Sequence, residues 1–303
     1  MSGPKLGFVG LGNMGSPMTR NLVTKGHDVT GYDINRQLLL QRAQEIGFHA
    51  ADSLADAARR SDIVITMLPN GKIVREAALG KGGLAEGMKP GTLLIDMSSS
   101  GATGTAALGK ELKERGITLV DAPVSGGVTG AVAGTLAIMI GGDDPAAIER
   151  AKPILEAMGT KLFVAGKLGA GHAVKSINNY LGATNLLAIS EGLIAAAKFG
   201  IDPATALAAI NASTGFSGTS QGLFPGQVMN RKFGAGFALA LMAKDVGLAA
   251  ELAKDVGMDT KFISLSAATW ARALNELKGN PDFTEIVKML EADYGTVIEP
   301  RKS

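Results

Sequence analysis

The sequence contains no cysteine, which excludes disulfides and thiolate metal centres. Histidine is scarce. His27, His49 and His172 lie far apart and have no metal-ligand spacing, so no metal is expected. Neither sign of charge dominates: a formal net charge of +2 carries no nucleic-acid footprint, and the basic tail Arg301-Lys302 is too short to supply one. The start shows no charged region, apolar run and cleavage site in the order a secretion signal needs. Ser2 stands where N-myristoylation requires glycine, so no such anchor is expected. One long apolar segment, Tyr180 to Ala197, invites comparison with a membrane span. Asn185, Ser190 and Glu191 interrupt it, and it reads as a buried helix of a soluble protein. The cytoplasm is the default compartment, with neither nucleic acid nor membrane as partner.

What is present is an ordinary globular composition over 303 residues, about right for two domains. In the first half, short β-branched runs alternate with helical spacing. Strands are expected at Leu6–Val9, Asp28–Tyr32, Asp62–Leu68, Thr92–Met97, Ile117–Asp121, Leu136–Ile140 and Leu162–Val164, with helices at Met14–Thr24 and Leu38–Ile46. Apolar strands alternating with helices imply a parallel sheet covered on both faces. After Gly166 the strand signal stops. A helix of roughly 40 Å is expected over His172–Phe199, from about 1.5 Å per residue. Further helices are expected at Pro203–Asn211, Ala240–Val256, Ser264–Lys278 and Phe283–Asp293. The Gly-, Ser- and Pro-rich stretch Thr214–Gly236 reads as a loop over a cleft. The expected domains are 1–166 and 167–303.

Gly10-Leu11-Gly12-Asn13-Met14-Gly15 spells G-x-G-x-x-G between a strand and a helix, the context in which that pattern binds a dinucleotide. Gly10 permits the turn, Gly12 admits the pyrophosphate and Gly15 lets helix and strand pack closely. The helix start then offers N–H groups and a positive dipole end to phosphate. Asp33, at the end of the second strand, suits the adenosine ribose hydroxyls and so NAD. Arg36 nearby can hold a 2′-phosphate, which keeps NADP open.

Three further stretches carry chemistry. In Gly169-Ala170-Gly171-His172-Ala173-Val174-Lys175-Ser176-Ile177-Asn178-Asn179, Lys175 and Asn179 share a helical face, and Asn178 can join them. A partly desolvated lysine near a helix start should have a lowered pKa, which suits it to take a hydroxyl proton as hydride leaves the same carbon. The same spacing equally fits a surface lysine on an amphipathic helix. In Asp121-Ala122-Pro123-Val124-Ser125-Gly126-Gly127, after a strand end, a hydroxyl and two unobstructed backbone N–H groups can hold a carboxylate, or merely make a tight turn. In Phe237-Ala238-Leu239-Ala240-Leu241-Met242-Ala243-Lys244-Asp245, a Lys-Asp pair interrupts an apolar helix. Lys244 can reach a nicotinamide ribose or a substrate carboxylate, or sit on a solvated face.

Taken in order, GFVGLGNMG, DAPVSGG, GAGHAVKSINN and FALALMAKD resemble the β-hydroxyacid dehydrogenase family over nearly the whole chain. Its members include 3-hydroxyisobutyrate dehydrogenases and tartronate semialdehyde reductases. The resemblance implies an N-terminal Rossmann-type doubly wound sheet, an all-α C-terminal domain joined by a long interdomain helix, and a homodimer or homotetramer. It also implies Lys175 as the catalytic lysine; Ser125, Gly126, Gly127 and Asn179 at the substrate carboxylate; Leu68, Pro69 and Ser99 at the cofactor; and Lys244 as a second functional lysine. Two departures narrow the class. Decarboxylating 6-phosphogluconate dehydrogenases carry His where this chain has Asn178 and are much longer, and imine reductases replace the lysine. The expected reaction is reversible hydride transfer between a nicotinamide and a small 3-hydroxy acid. Alternatives are a semialdehyde reductase of tartronate, succinic or sulfolactaldehyde type, or a non-catalytic nucleotide-binding protein on the same fold. Substrate choice is expected to involve Phe216, Ser217, Thr219, Ser220 and Phe237, the last of which also fits a core position. His172, at a helix start, is expected to be structural.

Overall fold

The computed structural model describes residues 3–300. The Met1-Ser2 start and the Arg301-Lys302 tail, read above for acylation and charge, lie outside the described residues. The chain divides into two compact units, Met1–Lys175 and Ser176–Ser303, a division that falls inside a long helix, beyond the Gly166 at which the strand signal stops.

The first unit follows a strand–helix alternation. Its elements are β1 (Leu6–Val9), α1 (Gly15–Thr24), β2 (Val29–Tyr32), α2 (Arg36–Ile46), β3 (His49–Ala50), α3 (Leu54–Arg59), β4 (Ile63–Thr66), α4 (Gly71–Leu79), α5 (Leu84–Gly87), β5 (Leu93–Asp96), α6 (Ala102–Lys113), β6 (Thr118–Asp121), β7 (Val124–Ser125), α7 (Gly127–Ala133), β8 (Leu136–Gly141), α8 (Pro145–Leu155) and β9 (Gly159–Gly166). The sheet order is β3-β2-β1-β4-β5-β6-β8-β7, with β9 paired to β8. Alternate residues of the apolar strands enter two separate cores. Ile63, Ile65, Leu93 and Ile95 pack with Phe8, Met18 and Leu22, while Val64 and Leu94 pack with Val74, Leu108 and Leu112. Burial on both faces explains why these strands read as continuous apolar runs rather than alternating ones.

Strands β1 to β6 pair in parallel. The sheet is dominated by parallel pairing, as expected, and the exception is β8, which runs antiparallel to β6 and β7. The reason is local. β8 is joined to β7 only by the short helix α7, and such a connection folds back beside the strand it leaves. Strands β3 and β7 have two residues each, too few for any periodicity to show.

The long helix α9 (Ala170–Phe199) leads into α10 (Pro203–Asn211), α11 (Leu239–Asp255), α12 (Lys261–Glu276) and α13 (Ile286–Tyr294). The second unit's core gathers Leu186, Leu193, Phe224, Trp270 and Ile286. Two expectations need correcting here. Thr219–Val228, inside the stretch read as a loop, coils as a wide π-helix containing Pro225. Helix α9 is not buried all round. It is long and apolar enough to span a membrane by length and composition alone, yet only 28% of that window is buried. A stripe of Ala183, Leu186, Leu193 and Ile194 is covered, while Ile177 and Leu181 are exposed, because this chain packs against one side of the helix only.

Trp270 is the sole tryptophan and is fully buried, whereas Phe262 on the same helix is 78% exposed. Trp270→Ala is expected to destabilise the second unit by roughly 3–5 kcal/mol, and Phe262→Ala by less than about 0.5 kcal/mol. Urea denaturation followed by circular dichroism measures both. Equal losses would contradict this account of the core.

Candidate functional site

The Gly-rich loop turns between β1 and α1 at the carboxyl end of the sheet. Gly10 adopts φ +97°, and a Cβ there would lie 2.3 Å from the Met67 carbonyl oxygen beyond β4. A Cβ on Gly15 would meet the Gly10 carbonyl oxygen at 1.8 Å. Gly12 differs from both: among the described residues no heavy atom lies within 4 Å of an added Cβ, so its missing side chain leaves open space rather than relieving a clash. The α1 N-cap, Met14, supplies no side-chain hydrogen bond, and the first turn of the helix carries no carboxylate. Gly12 and Asn13 are exposed, Met14 is half-buried and Leu11 is buried. A positive helix end without its own cap, beside a glycine that opens onto space, fits a diphosphate.

Asp33 lies directly after β2. Its Oδ2 accepts the Leu11 N–H at 2.8 Å and its Oδ1 accepts the Asn35 N–H at 2.8 Å. The carboxylate thus braces the Gly-rich loop, and each oxygen retains a lone pair for a ribose hydroxyl. Arg36 is turned to the end of β3, donating to the Ala51 carbonyl at 2.9 Å and to Asp52 Oδ1 at 3.0 Å. Leu68 donates its N–H to Ser98 Oγ at 2.9 Å, tying the loop after β4 to the loop after β5; Pro69 is exposed there and Ser99 half-buried.

Ser125 is half-buried on β7, so it belongs to a short strand rather than to a turn. Gly126 (φ +131°) and Gly127 (φ +61°) follow as the N-cap and first residue of α7. Both are exposed, and a Cβ on Gly127 would meet nothing within 4 Å among the described residues. The backbone is open there, as a carboxylate would need.

The start of α9 is held from below by Asp121, the last residue of β6. Its Oδ1 accepts the Gly169 N–H at 2.7 Å and its Oδ2 accepts the His172 N–H at 2.8 Å. Burial pushes the Asp121 carboxyl upward from its ordinary pKa, while His172 and these two N–H groups act in the opposite direction. The glycines of GAGH make room for this contact. A Cβ on Gly171 would stand 2.2 Å from the Met139 carbonyl oxygen and 2.8 Å from Asp121 Oδ2. Lys175, half-buried, follows one turn after His172.

In the second unit, Asp245 is 2% exposed and joins two expected site residues. Its Oδ2 accepts Asn179 Nδ2 at 2.6 Å, and its Oδ1 pairs with Lys244 Nζ at 3.0 Å. The Lys-Asp pair is therefore no solvated face. Asn178 is exposed and donates to Asn179 Oδ1 at 3.2 Å. Phe237 meets Phe283 edge to face at 6.0 Å and packs against the core. Ser217 and Ser220 hydrogen-bond one another's backbone, and Phe216 is exposed. Sequence reasoning assigned no role to Asp96, Asp121 or Asp245. The available signal was an acid closing each of two apolar strands, LLID and TLVD.

Residues 5–166 match the family described as the NAD binding domain of 6-phosphogluconate dehydrogenase, and residues 169–290 match the one described as the NAD-binding of NADP-dependent 3-hydroxyisobutyrate dehydrogenase. The 2-(hydroxymethyl)glutarate dehydrogenase of Eubacterium barkeri is 35% identical over 97% of this chain and 97% of its own length. The NAD-dependent L-serine dehydrogenase of Pseudomonas aeruginosa is 34% identical over 96% of this chain and 99% of its own. Among solved structures, the Mycobacterium tuberculosis 3-hydroxyisobutyrate dehydrogenase with L-serine aligns at a TM-score of 0.87 and 34% identity, covering 95% of this chain and 99% of that one. The cofactor of the chain is a nicotinamide dinucleotide.

Gly12→Ala is expected to leave the melting temperature within about 2 °C, since the added methyl meets no protein atom, yet to weaken NAD binding about tenfold or more. Calorimetric titration with NAD and a thermal melt separate the two effects. Wild-type affinity in the variant would remove the pyrophosphate from this loop.

Proposed function

The chain belongs to the β-hydroxyacid dehydrogenase family of NAD(P)-dependent oxidoreductases acting on CH–OH, and from that premise we propose that it reversibly oxidises a small 3-hydroxy acid with Lys175 as the general acid/base. The reading rests chiefly on one observation. The first turn of α9, which leads into Lys175, is hydrogen-bonded to the carboxyl end of β6, the same sheet edge from which the Gly-rich loop rises. Ligands of such folds bind at that edge.

The substrates named for the relatives share a unit. 2-(Hydroxymethyl)glutarate, L-serine and 3-hydroxyisobutyrate are each a carboxylate with a hydroxymethyl group on the adjacent carbon. For this chain the carboxylate is assigned to the Ser125 hydroxyl and the Gly126 and Gly127 N–H groups. Asn179, held by Asp245, orients the substrate. Lys244, held by the same carboxylate, remains 24% exposed and is assigned to the carboxylate or the cofactor ribose. The bound nicotinamide supplies the hydride acceptor. Lys175 Nζ accepts the hydroxyl proton as hydride leaves the same carbon, and returns it when a semialdehyde is reduced.

Asp33 supports NAD. NADP would require Arg36 to leave Ala51 and Asp52, and an exposed pair of that kind is worth no more than about 1 kcal/mol. NADP is therefore expected as a weaker cosubstrate. Exposed Ile177 and Leu181 on α9 support burial of that face by a second copy, hence a homodimer or homotetramer. The enzyme is read as soluble and cytoplasmic.

Lys175→Ala is expected to lower kcat about 10²–10⁴-fold while leaving the NAD Kd within about twofold. Steady-state kinetics with 3-hydroxyisobutyrate, L-serine and 2-(hydroxymethyl)glutarate, each with NAD and NADP, provide the measurement. Parallel loss of NAD binding and turnover would refute the assigned role, and a panel without turnover would refute the substrate class.

A further inference from the structure

His172 is 1% exposed and sits among polar groups from three elements. Its Nε2 lies 3.0 Å from the Ser98 carbonyl oxygen, which only accepts, so Nε2 carries a proton. Its Nδ1 lies 2.8 Å from Thr105 Oγ1 on α6, and that hydroxyl donates in turn to the Gly101 carbonyl at 3.0 Å. Two buried carboxylates flank the ring: Asp96 Oδ2, 3.7 Å from Nε2, and Asp121 Oδ2, 3.7 Å from Nδ1. Asp96 is itself held by the Thr66 hydroxyl at 2.9 Å, the Ser98 N–H at 3.1 Å and the Ser100 hydroxyl at 2.9 Å.

The His172 ring connects this network to α9 through a side chain, one turn before Lys175. A backbone contact with Asp121 alone fixes the helix start at one strand end. The ring adds a second anchor, the loop after β5, and a third, α6. Three anchors on different elements restrain the turn's position and rotation more than the backbone contact with Asp121 does by itself. We propose that His172 is a positioning residue of the reaction, fixing the first turn of α9 so that the Lys175 amine is aimed at the substrate hydroxyl. The proposal rests on the reading of Lys175 as the acid/base group. Because misplacing a reacting group by about 1 Å can cost 10²-fold in rate, a lost anchor is read in kcat rather than in cofactor affinity.

The test uses the full-length enzyme with the best acid of the panel above. Thr105→Val keeps the volume and removes the partner of Nδ1. His172→Gln keeps a donor of similar reach toward the Ser98 carbonyl, and His172→Leu removes both ring contacts. Expected are kcat losses of about 10- to 100-fold for His172→Leu and about 3- to 10-fold for Thr105→Val, partial rescue in His172→Gln, and an NAD KM within twofold throughout. The kcat pH profile should move in Thr105→Val, since it reports the misaligned amine. Deuterium exchange over residues 170–178 should quicken in Thr105→Val, a readout that needs no substrate. Should His172→Leu fail to fold, Thr105→Val and His172→Gln decide. Wild-type kcat and exchange in stable Thr105→Val and His172→Gln, with Lys175→Ala inactive, overturn the positioning role alone. An active Lys175→Ala overturns it together with the reading of Lys175.

Discussion

The site depends on one buried carboxylate. Asp121 closes β6 and accepts the N–H groups of Gly169 and His172, one on each oxygen, at 2.7 and 2.8 Å. Taking an unpaired carboxylate out of water costs several kcal/mol, so the contact persists only because both oxygens are used and the His172 ring stands 3.7 Å away. The same carboxylate dictates nearby glycines. A Cβ on Gly141 would lie 2.4 Å from Asp121 Oδ1 and one on Gly171 2.8 Å from Asp121 Oδ2. Three stretches far apart in sequence, the end of TLVD, the IGG of β8 and the GAGH before α9, are thus parts of one contact. It joins a helix start to a sheet edge, which is how a flexible lysine side chain gains a fixed base.

The dinucleotide loop solves a similar problem without a metal-like anchor. Asp33 accepts the Leu11 N–H and so holds the loop in shape before any ligand arrives. On the proposed reading its remaining lone pairs serve a ribose, so that one residue would both brace the loop and favour NAD. Gly10 and Gly15 relieve clashes with backbone, and Gly12 alone opens outward. The three glycines of one motif therefore have different tolerances. Two are fixed by the fold, and an added Cβ on the third meets none of the described residues.

How much was legible in sequence follows the distance over which the cause acts. The Gly-rich turn was readable because its three glycines answer to neighbours within one strand–turn–helix unit. Helices α10 and α11 were readable from apolar spacing. Strands β3 and β7 were not, since two residues cannot display a period. The π-helix Thr219–Val228 lacks the 3.6-residue repeat and is built from Gly, Ser and Pro, so it resembled a loop. Asp121 and Gly169 are 48 positions apart and His172 and Ser98 are 74 apart. No local pattern encodes such a pairing. The one trace it left was a charged residue where an apolar strand should simply stop, which turn propensity explains equally well.

Asp245 repeats the arrangement on α11. It is buried, uses one oxygen for the Asn179 amide and the other for the Lys244 ammonium, and is flanked on the helix by apolar residues that keep water away. Along α9, residues 169 and 172 bond to one buried acid and residue 179 to another, and Lys175 lies between them. Burial makes the acids costly to displace, whereas Lys175, the proposed acid/base group, is only half-buried. Rigidity and proton exchange make opposite demands on burial, and on the proposed reading of Lys175 the carboxylates serve the first and the lysine the second.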